Sequence, residues 1–339
     1  MPRPVRILSP EQIEGELQSE ARLRPGTLDE YVGQERVKEN LRVFVAAARQ
    51  RGEPLDHVLL SGPPGLGKTT LAHILAREME ATIKVTSGPV FTTPADLLSV
   101  LSHLKGGQVL FIDEIHRTSR VVEEHLYPAM EERRCELIVD KGPNARHYSL
   151  ALEPFTLVGA TTRPGMLSGP LRSRFGLTIR LDYYAAEELH RIVLRSARLL
   201  EIEVTADGAA EIARRARGTP RIANRLLRRA RDFAQVEHRG VVDVEVARYS
   251  LARLDIDARG LDEMDRRLLR TIVEKFGGGP VGVATLASAL SEDVETLEDV
   301  YEPYLIQEGL LARTARGREA TPLAWEHLGL RRGTGSLFG

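Results

Sequence analysis

Residues 62–69 read Gly-Pro-Pro-Gly-Leu-Gly-Lys-Thr, and this octet constrains the chain more than any other feature. It fits the G-x-x-x-x-G-K-[ST] pattern of a phosphate-binding loop. Such a loop needs a strand leading in and a helix leading out. The apolar run 58–60 supplies the first and the periodic stretch 69–78 the second. Gly62, Gly65 and Gly67 let the backbone approach phosphate oxygens and aim N–H groups at them. The helix start adds favourable partial charge. In that frame Lys68 reaches the β and γ phosphates, and Thr69 offers its hydroxyl to magnesium. Thr70 follows in the same first turn and is counted with the nucleotide site. The expected ligands are ATP and Mg2+.

The second half of the site is Val109-Leu110-Phe111-Ile112-Asp113-Glu114. Four apolar residues read as a buried strand. The two carboxylates stand at its C-terminal end, where ligands bind in open α/β sheets. Asp113 is expected in the magnesium shell, and Glu114 is placed to polarise an attacking water. His116 is read as a loop histidine. Further apolar runs at 83–85, 157–159 and 177–181 alternate with helical stretches. Together they predict an open parallel α/β sheet with helices on both faces.

After Tyr184 the strand signal stops. Residues 185–255 read as wholly helical, with helices over 186–200, 207–215, 221–238 and 244–254. A second boundary falls near 257–260, followed by short helices and a hairpin-like stretch at 310–321. The first 20 residues carry four Glu and little periodicity, and are expected to form a mobile arm. The expected division is 1–184, 185–255 and 256–339.

The formal net charge is −1, so nucleic acid would be held by local basic clusters or with a partner's help, and not by bulk charge. One such cluster is conspicuous: residues 214–231 hold eight Arg and no acid. Arg214, Arg217, Arg221, Arg225 and Arg228 share one helical face if the break at 218–220 leaves them aligned. A solvated face paired with acids elsewhere is the plainer reading. A single cysteine, Cys135, excludes an internal disulfide and fits a reducing compartment. No apolar run approaches the ~20 residues needed to span a bilayer, and no signal peptide is evident. A cytosolic protein with no membrane partner is expected.

Five motifs occur in a telling order: 62–72 (Gly-Pro-Pro-Gly-Leu-Gly-Lys-Thr-Thr-Leu-Ala), 113–116 (Asp-Glu-Ile-His), 159–163 (Gly-Ala-Thr-Thr-Arg), 171–176 (Leu-Arg-Ser-Arg-Phe-Gly) and 218–221 (Gly-Thr-Pro-Arg). This set resembles the AAA+ ATPases and, with Gln34-Glu35 and the C-terminal unit, the RuvB family of bacterial Holliday junction branch-migration motors. The resemblance runs from about Leu23 to about Leu328. It implies an AAA+ P-loop domain with a central parallel sheet, an all-helical lid and a C-terminal winged-helix domain. It implies that Thr162 is the first nucleotide sensor, that Arg174 is an arginine finger acting on the neighbouring subunit (with Arg172 a nearby competitor), and that Arg221 is the lid's sensor. Leu23, Arg24, Tyr31 and Val32 resemble the adenine pocket, with Tyr184 closing it or serving as hinge packing. Glu131, Glu132 and Arg133 either face the neighbour's nucleotide or are ordinary helix surface. The hairpin 135–150, turning at 141–144, resembles the dock for a RuvA-like junction-binding protein, and a RuvC-like resolvase is a further partner. The implied assembly is a homohexamer on duplex DNA at four-way junctions, indifferent to sequence and acting in recombination and repair.

The third unit reads as a winged helix with helices over 262–276, 283–290 and 292–307. Residues 292–308 carry seven acids and no Lys or Arg, so that helix is a poor groove reader. Positive charge sits instead on the wing, at Arg313, Arg316 and Arg318. Backbone contacts by the wing are expected, without base reading. Two other readings fit the motifs: a clamp-loader-type switch, which would carry a helical collar in place of the winged helix, and a DNA-binding regulator with a nucleotide switch.

Overall fold

The structure, a computed structural model, describes Leu8 and residues 16–139 and 146–330. Most of the expected N-terminal arm, the hairpin turn at 141–144 and the tail from 331 lie outside the described residues. From Glu16 the chain is helical, over Glu16–Leu23.

Nine strands are described: β1 Val58–Ser61, β2 Ile83–Ser87, β3 Val109–Asp113, β4 Arg134–Val139, β5 Arg146–Ala151, β6 Thr156–Thr161, β7 Leu177–Arg180, β8 Leu311–Thr314 and β9 Gly317–Ala320. Five of them form a wholly parallel sheet in the order β2-β3-β6-β1-β7. The three central strands are the continuous apolar runs of the sequence, and β1 and β6 are buried at every position. The edges β2 and β7 are only half covered. The register sets Ser61 beside Thr161, Ile112 beside Gly159 and Ser87 beside Asp113. The C-terminal ends of β1, β6 and β3 therefore share one edge. Beneath them Leu59, Leu110, Ile112, Leu126, Leu157 and Phe175 belong to one apolar cluster. The hairpin β4–β5 is a separate two-stranded sheet with Cys135 buried at its base.

Contacts divide the chain between Tyr184 and Ala185. The second unit opens with four helices, Ala186–Leu199, Ala206–Arg214, Pro220–Glu237 and Val244–Arg253. Thr205, Thr219 and Asp243 cap the last three by accepting backbone N–H groups. The arginine stripe is not continuous. Arg217 and Gly218 both adopt left-handed backbone (φ 52° and 66°), which turns the chain between the second and third helices. Arg214 and Arg215 bind Glu211, while Arg225 is buried. Arg214, Arg215, Arg217, Arg229 and Arg231 pair with acids, as the plainer reading had it, but Arg217 and Arg225 lie inside the fold and not on a solvated face.

The same unit ends in a winged helix. Its helices are Glu263–Arg270, continued by wide turns over Thr271–Lys275; Val283–Leu290; and an interrupted third helix running from Val294–Thr296 through Leu297–Tyr301 to Glu302–Gln307. β8 and β9 form the wing, and no helical collar is present among the described residues. Arg217 leaves the four-helix part and pairs with Asp265 at the start of the winged helix. Its Nε donates to the Gly260 carbonyl at 2.8 Å, and its guanidinium lies 5.0 Å from the Tyr304 ring centre. Both partners of this pair are almost fully buried. Removing the Asp265 side chain would strand the buried guanidinium, at a cost of about 3–5 kcal/mol.

Burial raises the Asp265 carboxyl from 3.8 to about 7, outweighing the pull of Arg217. An acid raised in this way keeps its proton in the folded state after the unfolded chain has released it. Folding thus becomes less favourable as pH climbs from about 4 to about 7, with no further change above that. Asp265→Asn removes the titration. Its stability relative to wild type should therefore improve as pH rises through this window, measured by urea unfolding followed through Trp325, the sole tryptophan. A gap that stays constant from pH 4 to 8 would show that Asp265 is ionised throughout.

Candidate nucleotide site and DNA-facing wing

The phosphate loop leaves β1 at Ser61 and enters the helix Lys68–Glu78, with Gly67 as its cap in left-handed backbone (φ 93°). A Cβ on Gly67 would stand a tight 3.1 Å from the Tyr31 hydroxyl, and the left-handed angle itself favours glycine. Lys68 is buried, and its ammonium donates to the carbonyls of Gly62 and Pro63 at 2.7 Å each. Thr69 and Thr70 follow, half-buried, in the first turn.

The expected base-binding residues gather on the same loop. Tyr31 and Tyr184 are both buried, and both hydroxyls donate to the Leu66 carbonyl, at 3.2 and 3.4 Å. Burial pushes the Tyr31 phenol up to about 12, so it remains a neutral donor. Lys38, to which no sequence motif points, donates to the Tyr31 carbonyl at 2.7 Å from the helix Glu35–Arg51. The Leu28 N–H binds Glu78 at 3.2 Å, tying this segment to the helix that follows the loop. Leu23 is buried; Arg24 and Val32 are half-buried. Burial, with the Arg24 charge as a second cause, holds the His73 imidazole below its ordinary value.

At the end of β3, the Asp113 carboxylate accepts the Glu114 N–H at 2.9 Å. Glu114 itself is left-handed (φ 46°), a strained state for a non-glycine residue and one frequent at functional sites. Gly88, at the end of β2, allows this. A Cβ there would meet the Glu114 carbonyl at 2.4 Å. Neither Gly88 nor the pairing of Glu114 with Arg117 (3.0 Å) was foreseen. At the end of β6, the Thr161 hydroxyl bonds His116 at 3.0 Å and accepts the Arg163 N–H. His116 is thus a tie between two strand ends, more than a loop histidine. Thr162 follows directly, half-buried.

Arg174 ends the short helix Gly169–Ser173. Its guanidinium binds Glu131 at 3.0 Å and the Pro170 carbonyl at 2.7 Å. Arg172 is exposed. Glu132 pairs with Arg134, and Arg133 closes its helix in left-handed backbone (φ 52°). Arg221 lies half-buried in the first turn of Pro220–Glu237, within the second unit.

The wing departs from expectation at one position. Arg313 and Arg318 face each other in register, so they share a side. Arg318 is nevertheless largely buried, not a free surface charge. It binds Glu302 at 2.7 Å and Glu298 at 2.7 Å, on the acidic third helix. Those carboxylates hold its guanidinium above the ordinary arginine range. Arg313 reaches the same Glu298 at 3.2 Å, and Arg316 is exposed at the turn. The acids that looked repulsive to DNA are partly neutralised by the wing itself.

Three family models match in succession: the Holliday junction DNA helicase RuvB P-loop domain over residues 23–181, the RuvB AAA lid domain over 184–257 and the RuvB C-terminal winged helix domain over 258–329. The Holliday junction branch migration complex subunit RuvB of Flavobacterium johnsoniae is 58% identical, covering 93% of this chain and 92% of that protein. Its counterpart in Salinibacter ruber is 60% identical, covering 90% and 89%. The solved structure of the Thermotoga maritima RuvB Holliday junction branch migration motor is similar at a TM-score of 0.83 and 50% identity, over 91% of this chain and 99% of that one. No helix among the described residues is long and apolar enough to cross a membrane. With three consecutive domain matches and this level of identity across nearly its full length, the chain belongs to the RuvB family of AAA+ proteins.

Proposed function

We propose that the chain is an ATP-hydrolysing motor that drives branch migration at four-way DNA junctions, as a homohexamer built from a large domain to Tyr184, a helical lid over 185–255 and a winged-helix head from 256. One observation carries this reading: Lys68, Asp113 with Glu114, and Thr161 with Thr162 meet at one edge of the sheet, in a chain of this family.

The resting contacts of these groups are of a kind that a triphosphate can replace. Lys68 exchanges two neutral loop carbonyls for charged phosphate oxygens. The pair Glu114–Arg117 is exposed, and such pairs contribute only about 0–1 kcal/mol. Glu114 can therefore turn to a water at little cost and accept its proton as general base. Thr69 and Asp113 are hard oxygen donors of the type magnesium takes. Bound there, magnesium would neutralise phosphate charge. Thr162 senses the γ-phosphate through its hydroxyl, and Arg221 does so from the lid. Leu23, Arg24, Tyr31, Val32 and Tyr184 enclose the base. Arg174 acts on the neighbouring subunit's nucleotide, where a guanidinium finger contributes about 10³–10⁵ in rate. Glu131, Glu132 and Arg133 line that same subunit boundary.

DNA is held by phosphate contacts from the wing. Glu298 accepts from both Arg313 and Arg318, so it stands where a phosphate oxygen would be received. Arg316 adds an exposed charge at the tip. Contacts of this kind carry no sequence information, as a translocating motor requires. The hairpin β4–β5 docks a RuvA-like junction-binding protein, and a RuvC-like resolvase acts on the same junction.

Strand exchange on a synthetic four-way junction, with and without the junction-binding partner, tests the reading. Glu114→Gln should keep nucleotide and DNA binding but lose turnover by roughly 10²-fold or more, and exchange should stop. Exchange at the wild-type rate would overturn the proposal. Gly88→Ala should lower kcat while nucleotide affinity holds, because the new Cβ would clash first with the Glu114 carbonyl, at 2.4 Å, and crowd Thr118 at 3.1 Å; an unchanged kcat would separate that strain from catalysis. At the wing, Arg313→Ala with Arg316→Ala should weaken duplex binding and lower its salt slope by about 0.9 for each phosphate no longer neutralised. Glu298→Gln should do the reverse, tightening binding in a filter or anisotropy titration.

A further inference from the structure

One face of the helix Arg120–Glu131 carries Glu123, Tyr127 and Glu131 at four-residue spacing, and all three engage the element that ends in Arg174. Glu123 is buried and accepts from the hydroxyls of Ser168 and Tyr127, the latter at 2.8 Å. Ser168 in turn caps the helix Gly169–Ser173 by accepting the Leu171 N–H at 3.1 Å. The Tyr127 and Ser168 hydroxyl oxygens also lie 3.0 Å apart. The Tyr127 ring is thus fixed at its hydroxyl end, and the Arg174 guanidinium stacks on its face, 4.5 Å from the ring centre. Among the described residues the buried Arg174 Nε has no hydrogen-bond partner, and the rest of the guanidinium binds one carbonyl and the half-exposed Glu131.

The geometry points to Tyr127 as the positioning residue of the arginine finger, a role that rests on the assignment of Arg174 proposed above. A long arginine side chain loses much rotamer freedom when it must meet a phosphate in a neighbouring subunit. An aromatic face restricts the guanidinium to one plane without consuming its donors, which remain for the phosphate. Glu131 alone could not do this, because a carboxylate holds the same N–H groups that the phosphate needs. The ring supports the finger while Glu131 lets go. Tyr127 touches neither nucleotide nor water; it acts through Arg174.

Tyr127→Met keeps a long apolar side chain but removes the ring face, and Tyr127→Phe keeps the ring but removes the hydroxyl. In steady-state ATPase measurements Tyr127→Met should lower kcat about tenfold with KM for ATP unchanged, and Tyr127→Phe should retain most of the rate. In an Arg174→Ala background, Tyr127→Met should cost nothing further, whereas a general packing defect would add to the loss. Mixing Tyr127→Met subunits with Lys68→Ala subunits, which cannot turn over but carry an intact finger, should restore turnover to the former. Full activity of Tyr127→Met, or an additive loss with Arg174→Ala, would overturn the role of Tyr127. Full activity of Arg174→Ala would overturn the finger assignment itself. Should Tyr127→Met prove unstable by thermal melting, equal kcat values for Tyr127→Phe and Tyr127→Leu would refute the stacking role.

Discussion

The nucleotide edge depends on one register. β1 lies between β6 and β7, and β3 lies beyond β6. Parallel pairing sets Ser61 level with Thr161, and the Gly62 N–H continues the ladder onto the Thr161 carbonyl at 3.2 Å. The phosphate loop therefore starts where β6 ends. β3 reaches the same edge through Ile112 and Gly159, so Asp113 is the first residue past its β6 partners. A slip of one residue in any of these ladders would send Asp113 or Thr161 to the other face of the sheet. The buried apolar runs prevent it, because the same slip would turn core side chains outward.

This explains what could be read from the sequence. The central strands are buried on both faces and so appear as unbroken apolar runs; a strand of that kind is legible without alternation. The loop and the acidic strand end carry fixed spacing, and their glycines and carboxylates have no common structural substitute. Gly88 was missed because it belongs to no local pattern. Its significance lies in a backbone 26 residues away in the chain, the Glu114 carbonyl, which the fold brings within 2.4 Å of where a Cβ would stand. Lys38 was missed for a similar reason: it occupies an ordinary helical position, and only burial shows that its ammonium serves the Tyr31 carbonyl.

The charged residues were less legible than the apolar ones. A 3–4 spacing of arginines predicts a stripe only if one helix runs through it, and the left-handed pair Arg217 and Gly218 ends that condition. Beyond the turn, Arg217 points into the winged-helix half of its unit and binds Asp265. Likewise the acidic helix and the basic wing looked like opposing surfaces when read separately. Folding sets Arg318 against Glu302, so much of each charge is consumed by the other. Net charge along a segment says what must be neutralised, not whether solvent or another segment does so.

Burial then sorts the ion pairs into two kinds. Arg217–Asp265 and Arg318–Glu302 are closed off from water, and removing the acid partner of either leaves a buried guanidinium uncompensated at a cost of several kcal/mol. Such pairs fix how the helical part of the second unit meets its winged helix and how the wing lies on the third helix. Glu114–Arg117, Arg174–Glu131 and Arg313–Glu298 are each open to solvent on at least one side and are worth about 1 kcal/mol or less. Each of the three holds a group assigned to water activation, phosphate contact across a subunit boundary, or DNA. A group that must change partners in every cycle cannot be held by a deep electrostatic well, because the energy of leaving it would be added to each turnover. The exposed pairs are strong enough to order these side chains and weak enough to yield to a triphosphate or a DNA phosphate, while the buried pairs keep the frame in which that exchange takes place.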